Sequence, residues 1–124
     1  MQRERFVALV QEALDRLPDE FRTRLHNVAV LVEDVPEEQR VREHSPRPRS
    51  MAPRKLLLGV FRGVPATQQS VFNLPAGPAT IVLYQQNIEA VCRGDEEIRE
   101  QVLLTVMHEI GHYFGMSEDQ LRDV

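Results

Sequence analysis

The amino-acid sequence predicts a small α+β domain. Three observations carry this prediction: apolar residues at helical spacing near the amino terminus, two or three short strand-like segments in the middle, and a long helical pattern near the carboxyl end. This order of helix, strands and helices is typical of the α+β class. We expect a single domain over residues 1–124, which is long enough to bury one hydrophobic core.

The first element is expected to be an amphipathic helix. Proline removes a backbone donor and clashes with the preceding turn, so Pro18 closes the pattern. The apolar side chains that recur at helical spacing before it are Phe6, Val7, Val10, Leu14 and Leu17.

Three segments are expected to form the sheet. Residues 27–33, 56–61 and 80–84 are short, apolar runs, and the first and third are rich in β-branched side chains. Between the first two, residues 37–55 are polar, contain three prolines and show no periodicity. We therefore expect a long surface loop there.

A long helix is expected near the carboxyl end. Asp95 is a suitable N-cap, and two further acidic residues follow it in the first turn, where the helix dipole favours negative charge. The helical pattern continues to about Phe114, and Gly115 is a natural stop because glycine adopts the left-handed conformation readily. Ser117 begins a capping-box pattern, which predicts a short last helix from Glu118.

Composition and charge exclude several classes of function. The net charge of −4 gives no reason to expect a nucleic-acid or membrane partner. The single cysteine, Cys92, cannot form an internal disulfide. The amino terminus lacks the apolar run of a signal peptide, and no stretch reaches 18 apolar residues. We therefore expect a soluble cytoplasmic protein.

The segment His108-Glu109-Ile110-Gly111-His112 carries the chemistry that we infer from the sequence. Two histidines four residues apart on a helix project from the same face, one turn apart, so their neutral nitrogens can converge on one zinc ion. Glu109 lies about 100° round the helix, beside the metal. This is the HExxH pattern, in which the glutamate is the general base of a metal-assisted hydrolysis.

A catalytic zinc site needs a third protein ligand. Gly115 can turn the chain back toward the metal, and Glu118 then occupies the last position of the spacing HExxHxxGxxE. Asp119 is the neighbouring alternative, and Asp123 is a more remote one. We expect Glu118 to be the ligand.

Residues 108–119 resemble the motif of the minimal zincin-like metallopeptidase family of bacteria, whose members carry HExxHxxGxx followed by an acid. Residues 57–61 and 81–84 are also similar to that family, so the resemblance begins at about Leu56. It implies a minimal zincin-like fold, in which a small sheet of about three strands packs on a long active-site helix, with the amino-terminal helix behind. It also implies one zinc per chain, bound by His108, His112 and an acid at position 118.

These observations together predict a zinc-dependent hydrolase of peptide bonds that acts on a peptide or protein substrate. Tyr84, at the end of the last strand, is a candidate cleft residue, although a half-buried packing role is the commoner use of such a tyrosine. Residues 80–84 are a candidate edge for an extended substrate. The alternatives are a zinc-stabilised binding or regulatory protein without turnover, and an α+β scaffold without metal.

Overall fold

A computed structural model describes residues 1–25, 28–43, 56–63, 79–113 and 115. The order of elements along this part of the chain is helix, helix, strand, helix, strand, strand, helix, helix. The elements are α1 (Arg3–Leu14), α2 (Asp19–Arg24), β1 (Val28–Glu33), α3 (Glu37–Glu43), β2 (Gly59–Arg62), β3 (Ala79–Tyr84), α4 (Gln85–Val91) and α5 (Asp95–Tyr113).

The three described strands form one mixed sheet in the order β1-β3-β2. β1 runs parallel to β3, with Val30 opposite Ile81, and β2 runs antiparallel to β3, with Phe61 opposite Ile81. β3 is therefore the central strand. All but one of its residues are buried, which explains why its sequence is almost uniformly apolar instead of alternating.

The core lies between the sheet and the helices α1 and α5, which pack against each other. Both helices present apolar residues at spacings of three or four, so each has one buried stripe. The sheet contributes Ile81 and Leu83, which are completely buried. The helical residues of this core are Phe6, Leu9, Val10 and Ala13 from α1, Phe21 from α2, Ile88 from α4, and Ile98, Val102, Val106, Met107 and Ile110 from α5.

Ion pairs join α1 and the residues after it to the first turns of α5 at the surface. The Arg99 guanidinium lies 2.6 Å from the Glu12 carboxylate, and Arg16 lies 2.6 Å from Glu96. These pairs are largely exposed, so they contribute little to stability compared with the buried stripe. Within the described residues, no helix is long and apolar enough to cross a membrane.

Three helices depart from the sequence-based expectation. The predicted loop over residues 37–55 is wrong in its first part, because Glu37–Glu43 forms α3. This helix carries almost no apolar stripe, and its Val41 is 64% exposed, so no periodicity revealed it. Helix α2 is a short helix after Pro18, and α4 begins directly where β3 ends, without a turn residue between them.

The other boundaries lie close to the predicted ones. The second strand is displaced from residues 56–61 to Gly59–Arg62, and the long helix ends at Tyr113. The predicted short last helix from Glu118, and the remainder of the predicted loop after residue 43, lie outside the described residues.

Candidate active site

The histidines of the HExxH segment lie on the solvent-facing side of α5. The helix buries Val106 and Ile110 in the core, and this arrangement turns the opposite face outward. His108 and His112 are exposed, whereas Glu109, between the two faces, is partly buried. The packing of α5 thus leaves both histidines on one exposed face of the helix, with Glu109 at its border.

The two imidazole rings are close enough to share a metal ion. Their centroids are 6.0 Å apart and their planes are inclined by 64°. Zinc binds an imidazole nitrogen at about 2.0–2.1 Å in tetrahedral geometry, so two rings on one ion have centroids roughly 5 Å apart. The observed separation exceeds this value by about 1 Å, a difference that small rotations of two exposed side chains can close. Two neutral imidazoles are also the ligand type that zinc favours, so these two residues fit a zinc ion.

Glu109 occupies a different environment from the two histidines. Burial raises the pKa of its carboxyl group, and this effect exceeds the lowering by His112, by a hydrogen bond from the backbone of Phe61 and by His108. A carboxylate with a raised pKa is a stronger base, and a general base is most effective when its pKa lies near the working pH.

Strand β2 runs close to α5 at this point. The ring of Phe61 stacks on that of Tyr113, with centroids 4.4 Å apart and planes inclined by 25°. At Gly59, a Cβ atom would lie 2.7 Å from the Cγ2 atom of Thr105. The strand therefore contacts the helix along the turns that carry the HExxH segment.

The predicted third ligand, Glu118, lies outside the described residues, as do Asp119 and Asp123. Accordingly, the described part of the chain contains no group of three potential metal ligands. Gly115 has a φ of 71°, the left-handed conformation that is expected of a glycine at the end of a helix. Its N–H donates to the carbonyl oxygen of His112 at 3.2 Å, so the chain turns directly after the second histidine.

Tyr84 and its strand do not have the exposure that a substrate contact requires. Tyr84 is 3% exposed, which is the environment of a packing residue; its role as a cleft residue stays a prediction. The hypothesis that residues 80–84 bind an extended substrate through a strand edge is wrong. β3 has β1 on one side and β2 on the other, so both of its edges are already paired.

Phe61 and Gly59 are the residues near the site that the sequence did not single out. They lie in a short strand that is about fifty residues from the histidines in sequence. Nothing in a strand of four residues indicates which of its side chains will contact the helix that carries the histidines. The signal that was available is Gly59 itself, because a glycine inside a strand often marks a close approach of another backbone or side chain.

The chain belongs to the zincin-like metallopeptidase family. The model of that family matches residues 25–124, which is most of the chain. The match confirms the family that the HExxH segment suggested, and it begins earlier than the predicted start at about residue 56. The helices and the three-stranded mixed sheet likewise agree with the predicted minimal zincin-like α+β fold.

The fold is also similar to that of a solved structure, a conserved hypothetical protein from Thermus thermophilus. The TM-score is 0.54, the identity is 24%, and the similarity covers 92% of this chain and 94% of the other. At this identity the likeness concerns the fold alone. No curated protein matches the chain in sequence.

Proposed function

We propose that this protein is a zinc-dependent peptidase in which Glu109 is the general base. The observation that carries the proposal is the arrangement on α5: a partly buried carboxylate with a raised pKa lies between two exposed histidines one turn apart. The membership of the zincin-like metallopeptidase family supports the same chemistry. The fold by itself would support it only by analogy.

The metal would be held by His108, His112 and Glu118. The histidines fit this role through their shared face and the separation of their rings. Glu118 has the spacing from the histidines that the motif requires, and the left-handed turn at Gly115 supports a change of chain direction directly after the helix. Bound zinc would polarise the scissile carbonyl group and lower the pKa of the attacking water.

Glu109 would move the proton. Its carboxylate accepts a proton from the attacking water and then donates it to the nitrogen of the leaving amine, so the two product termini form without a second acid. Partial burial suits this exchange because it keeps the pKa of Glu109 above that of an exposed glutamate.

The peptide would lie along β2 instead of β3. β2 is an edge strand among the described strands and contacts the helix that carries the histidines. An extended peptide can add to such an edge through main-chain hydrogen bonds. This location brings the peptide close to Glu109, because Phe61 of β2 stacks on Tyr113, one turn further along α5.

The test compares zinc-loaded wild-type protein with Glu109→Gln on a mixed peptide library, with cleavage read by mass spectrometry. Glutamine keeps the size and hydrogen-bonding capacity of the side chain but cannot accept the proton. We expect Glu109→Gln to retain zinc and to lose cleavage by about 10²–10⁴-fold. Glu100→Gln, an exposed substitution on the same helix, is the matched control and should cleave like the wild type.

Equal cleavage by wild type and Glu109→Gln would contradict the assigned role of the carboxylate. Loss of zinc from Glu109→Gln would make the carboxylate a ligand or a structural support. A zinc-loaded wild type that cleaves no peptide in the library would favour the alternative, a zinc-stabilised binding protein.

A further inference from the structure

The last turn of α5 carries the second histidine and ends the helix. Ile110 is completely buried in the core, whereas His112 is exposed and Tyr113, the last helical residue, is only partly buried. Gly111 lies inside this turn, and glycine disfavours a helix because its backbone has the most freedom to lose. The last carbonyl groups of a helix also lack intrahelical partners. We therefore expect this turn to fray unless tertiary contacts hold it.

A contact from the sheet reaches this turn, because the ring of Phe61 stacks on that of Tyr113. The ring centroids are 4.4 Å apart and the planes are inclined by 25°. Such aromatic pairs stabilise a structure beyond the effect of the apolar area that they bury. Tyr113 directly follows His112 in the chain, so a contact that fixes the backbone of Tyr113 also fixes the backbone from which the His112 side chain extends.

Phe61 is itself held by the sheet and by the chain that follows it. It pairs with Ile81, a completely buried residue of the central strand. Its ring lies against Gly63, where a Cβ atom would be only 3.2 Å from Phe61 Cε1. Gly63 has a φ of 144°, a conformation that residues with a side chain rarely adopt. The close passage of the chain at Gly63 thus limits the movement of the ring away from Tyr113.

The chain leaves the helix directly after the stacked residue. The Gly115 N–H donates to the His112 carbonyl oxygen at 3.2 Å, and the φ of Gly115 is 71°. This carbonyl group is one of those at a helix end that require a partner from outside the regular helix. The backbone of His112 is therefore held by this hydrogen bond and, through the next residue, by the stack.

Two metal ligands on one helix depend on the helical conformation of the turn between them. Small rotations can bring the rings of His108 and His112 to one ion only while their backbones stay one turn apart. If the turn frays in a fraction of the molecules, only the helical fraction can bind, and the apparent dissociation constant rises accordingly. A contact that keeps the turn helical before metal binds therefore increases the affinity.

We propose that Phe61 is a positioning residue for this metal site. By stacking on Tyr113 it holds the last turn of α5, and with it His112, in the helical conformation before a metal ion binds. The identity of the metal rests on the proposed function. The conformation of the turn can be measured without metal and without peptidase activity.

The first test is amide hydrogen exchange, followed by NMR in zinc-free protein. Exchange at a helix end proceeds by local opening, so it reports on this turn and not on the whole fold. Phe61→Leu keeps an apolar side chain but removes the stacked ring, and exchange at the His112 and Tyr113 amides should become about two- to tenfold faster. Leu104→Ala, an exposed substitution on the same helix, is the control and should leave both amides unchanged. Unchanged exchange in Phe61→Leu would overturn the proposal, whatever the metal assay gives.

The second test is the zinc affinity of Phe61→Leu, of Tyr113→Leu and of the variant that combines them. Competition with a chromophoric chelator measures it at a temperature where all the variants are folded. Each single variant should bind zinc about two- to tenfold more weakly. The double variant should bind hardly more weakly than either single one, because both substitutions remove the same contact. Losses that add in the double variant, or wild-type affinity in Phe61→Leu, would overturn the role of the stack.

Tyr113→Phe separates the effect of the ring from that of the hydroxyl group. It keeps the stacked ring, so it should retain both the amide exchange and the zinc affinity of the wild type. A loss as large as that of Tyr113→Leu would assign the effect to the hydroxyl group and overturn the role of the stack. Protein whose last turn responds to Phe61→Leu as expected, but whose wild type binds no zinc, would overturn the proposed function alone.

Discussion

Glu109 differs from an acidic residue at the start of α5 in the direction of its pKa shift. The pKa of Glu96 is lowered, chiefly by a hydrogen bond from Arg16, and that carboxylate stays charged at the surface. The pKa of Glu109 is raised because its carboxyl group is partly withdrawn from water. The same residue type on one helix is therefore a solvated ion at one end and a candidate base at the other. The extent of burial and the neighbouring charges, not the residue type, determine the direction of each pKa shift.

A prediction at the residue scale concerns the third metal ligand. Glu118→Ala should weaken zinc binding by more than about 100-fold, because it removes a direct ligand, whereas Asp119→Ala should have a smaller effect. The reason is the motif register, in which position 118 follows a glycine that turns the chain after the second histidine. Competition with a chromophoric chelator measures both affinities. A larger loss in Asp119→Ala would assign the ligand to Asp119.

At the scale of elements, the position of β2 depends on a pair of amide side chains behind it. Asn87 on α4 is 3% exposed; its Nδ2 atom donates to the Leu57 carbonyl oxygen at 2.8 Å and to Gln39 Oε1 at 2.9 Å. Gln39 on α3 returns a hydrogen bond to Asn87 Oδ1 at 3.0 Å. Two helices that the sequence did not predict are thus joined to the segment that leads into β2.

Removing the Asn87 amide should destabilise the fold. Asn87→Ala takes these hydrogen bonds away from Gln39 and from the Leu57 carbonyl oxygen, and the loss of a buried polar partner costs about 1–3 kcal/mol. Urea denaturation followed by circular dichroism should show a free energy of unfolding that is lower by about this amount. Gln86→Ala, an exposed amide on the same helix, is the control and should leave the stability nearly unchanged. Equal stability of Asn87→Ala and wild type would contradict the role of this pair.

The elements that the sequence predicted are those with a strong apolar pattern. α1 and α5 each bury one stripe of side chains, and β3 is buried almost entirely. Buried positions require apolar residues, and the spacing of these residues in the sequence is what predicts a helix or a strand. α3 has little apolar surface and α4 follows β3 without a break, so neither left a comparable signal. In the site, the histidines and Glu109 were recognisable from their local spacing. Phe61 was not, since its contact with Tyr113 depends on how β2 pairs and approaches α5.

At the scale of the whole molecule, α1 supports α5 from the side opposite the histidines. It lies before residue 25, where the family match begins, yet Phe6 and Val10 belong to the same core as Val102 and Val106 of α5. One side of α5 is thus packed against α1 and the sheet, and the other presents the two histidines to solvent. A helix held in this way can keep two ligands in place while leaving room for a substrate.

The measurement that tests the central claim most directly is the zinc content of the purified chain. Inductively coupled plasma mass spectrometry should find about one zinc per wild-type chain and almost none in the variant that combines His108→Ala and His112→Ala. Both substitutions lie on the exposed face of α5, so circular dichroism should show that the fold is retained. Full zinc content in the double variant would contradict the assignment of His108 and His112 as metal ligands.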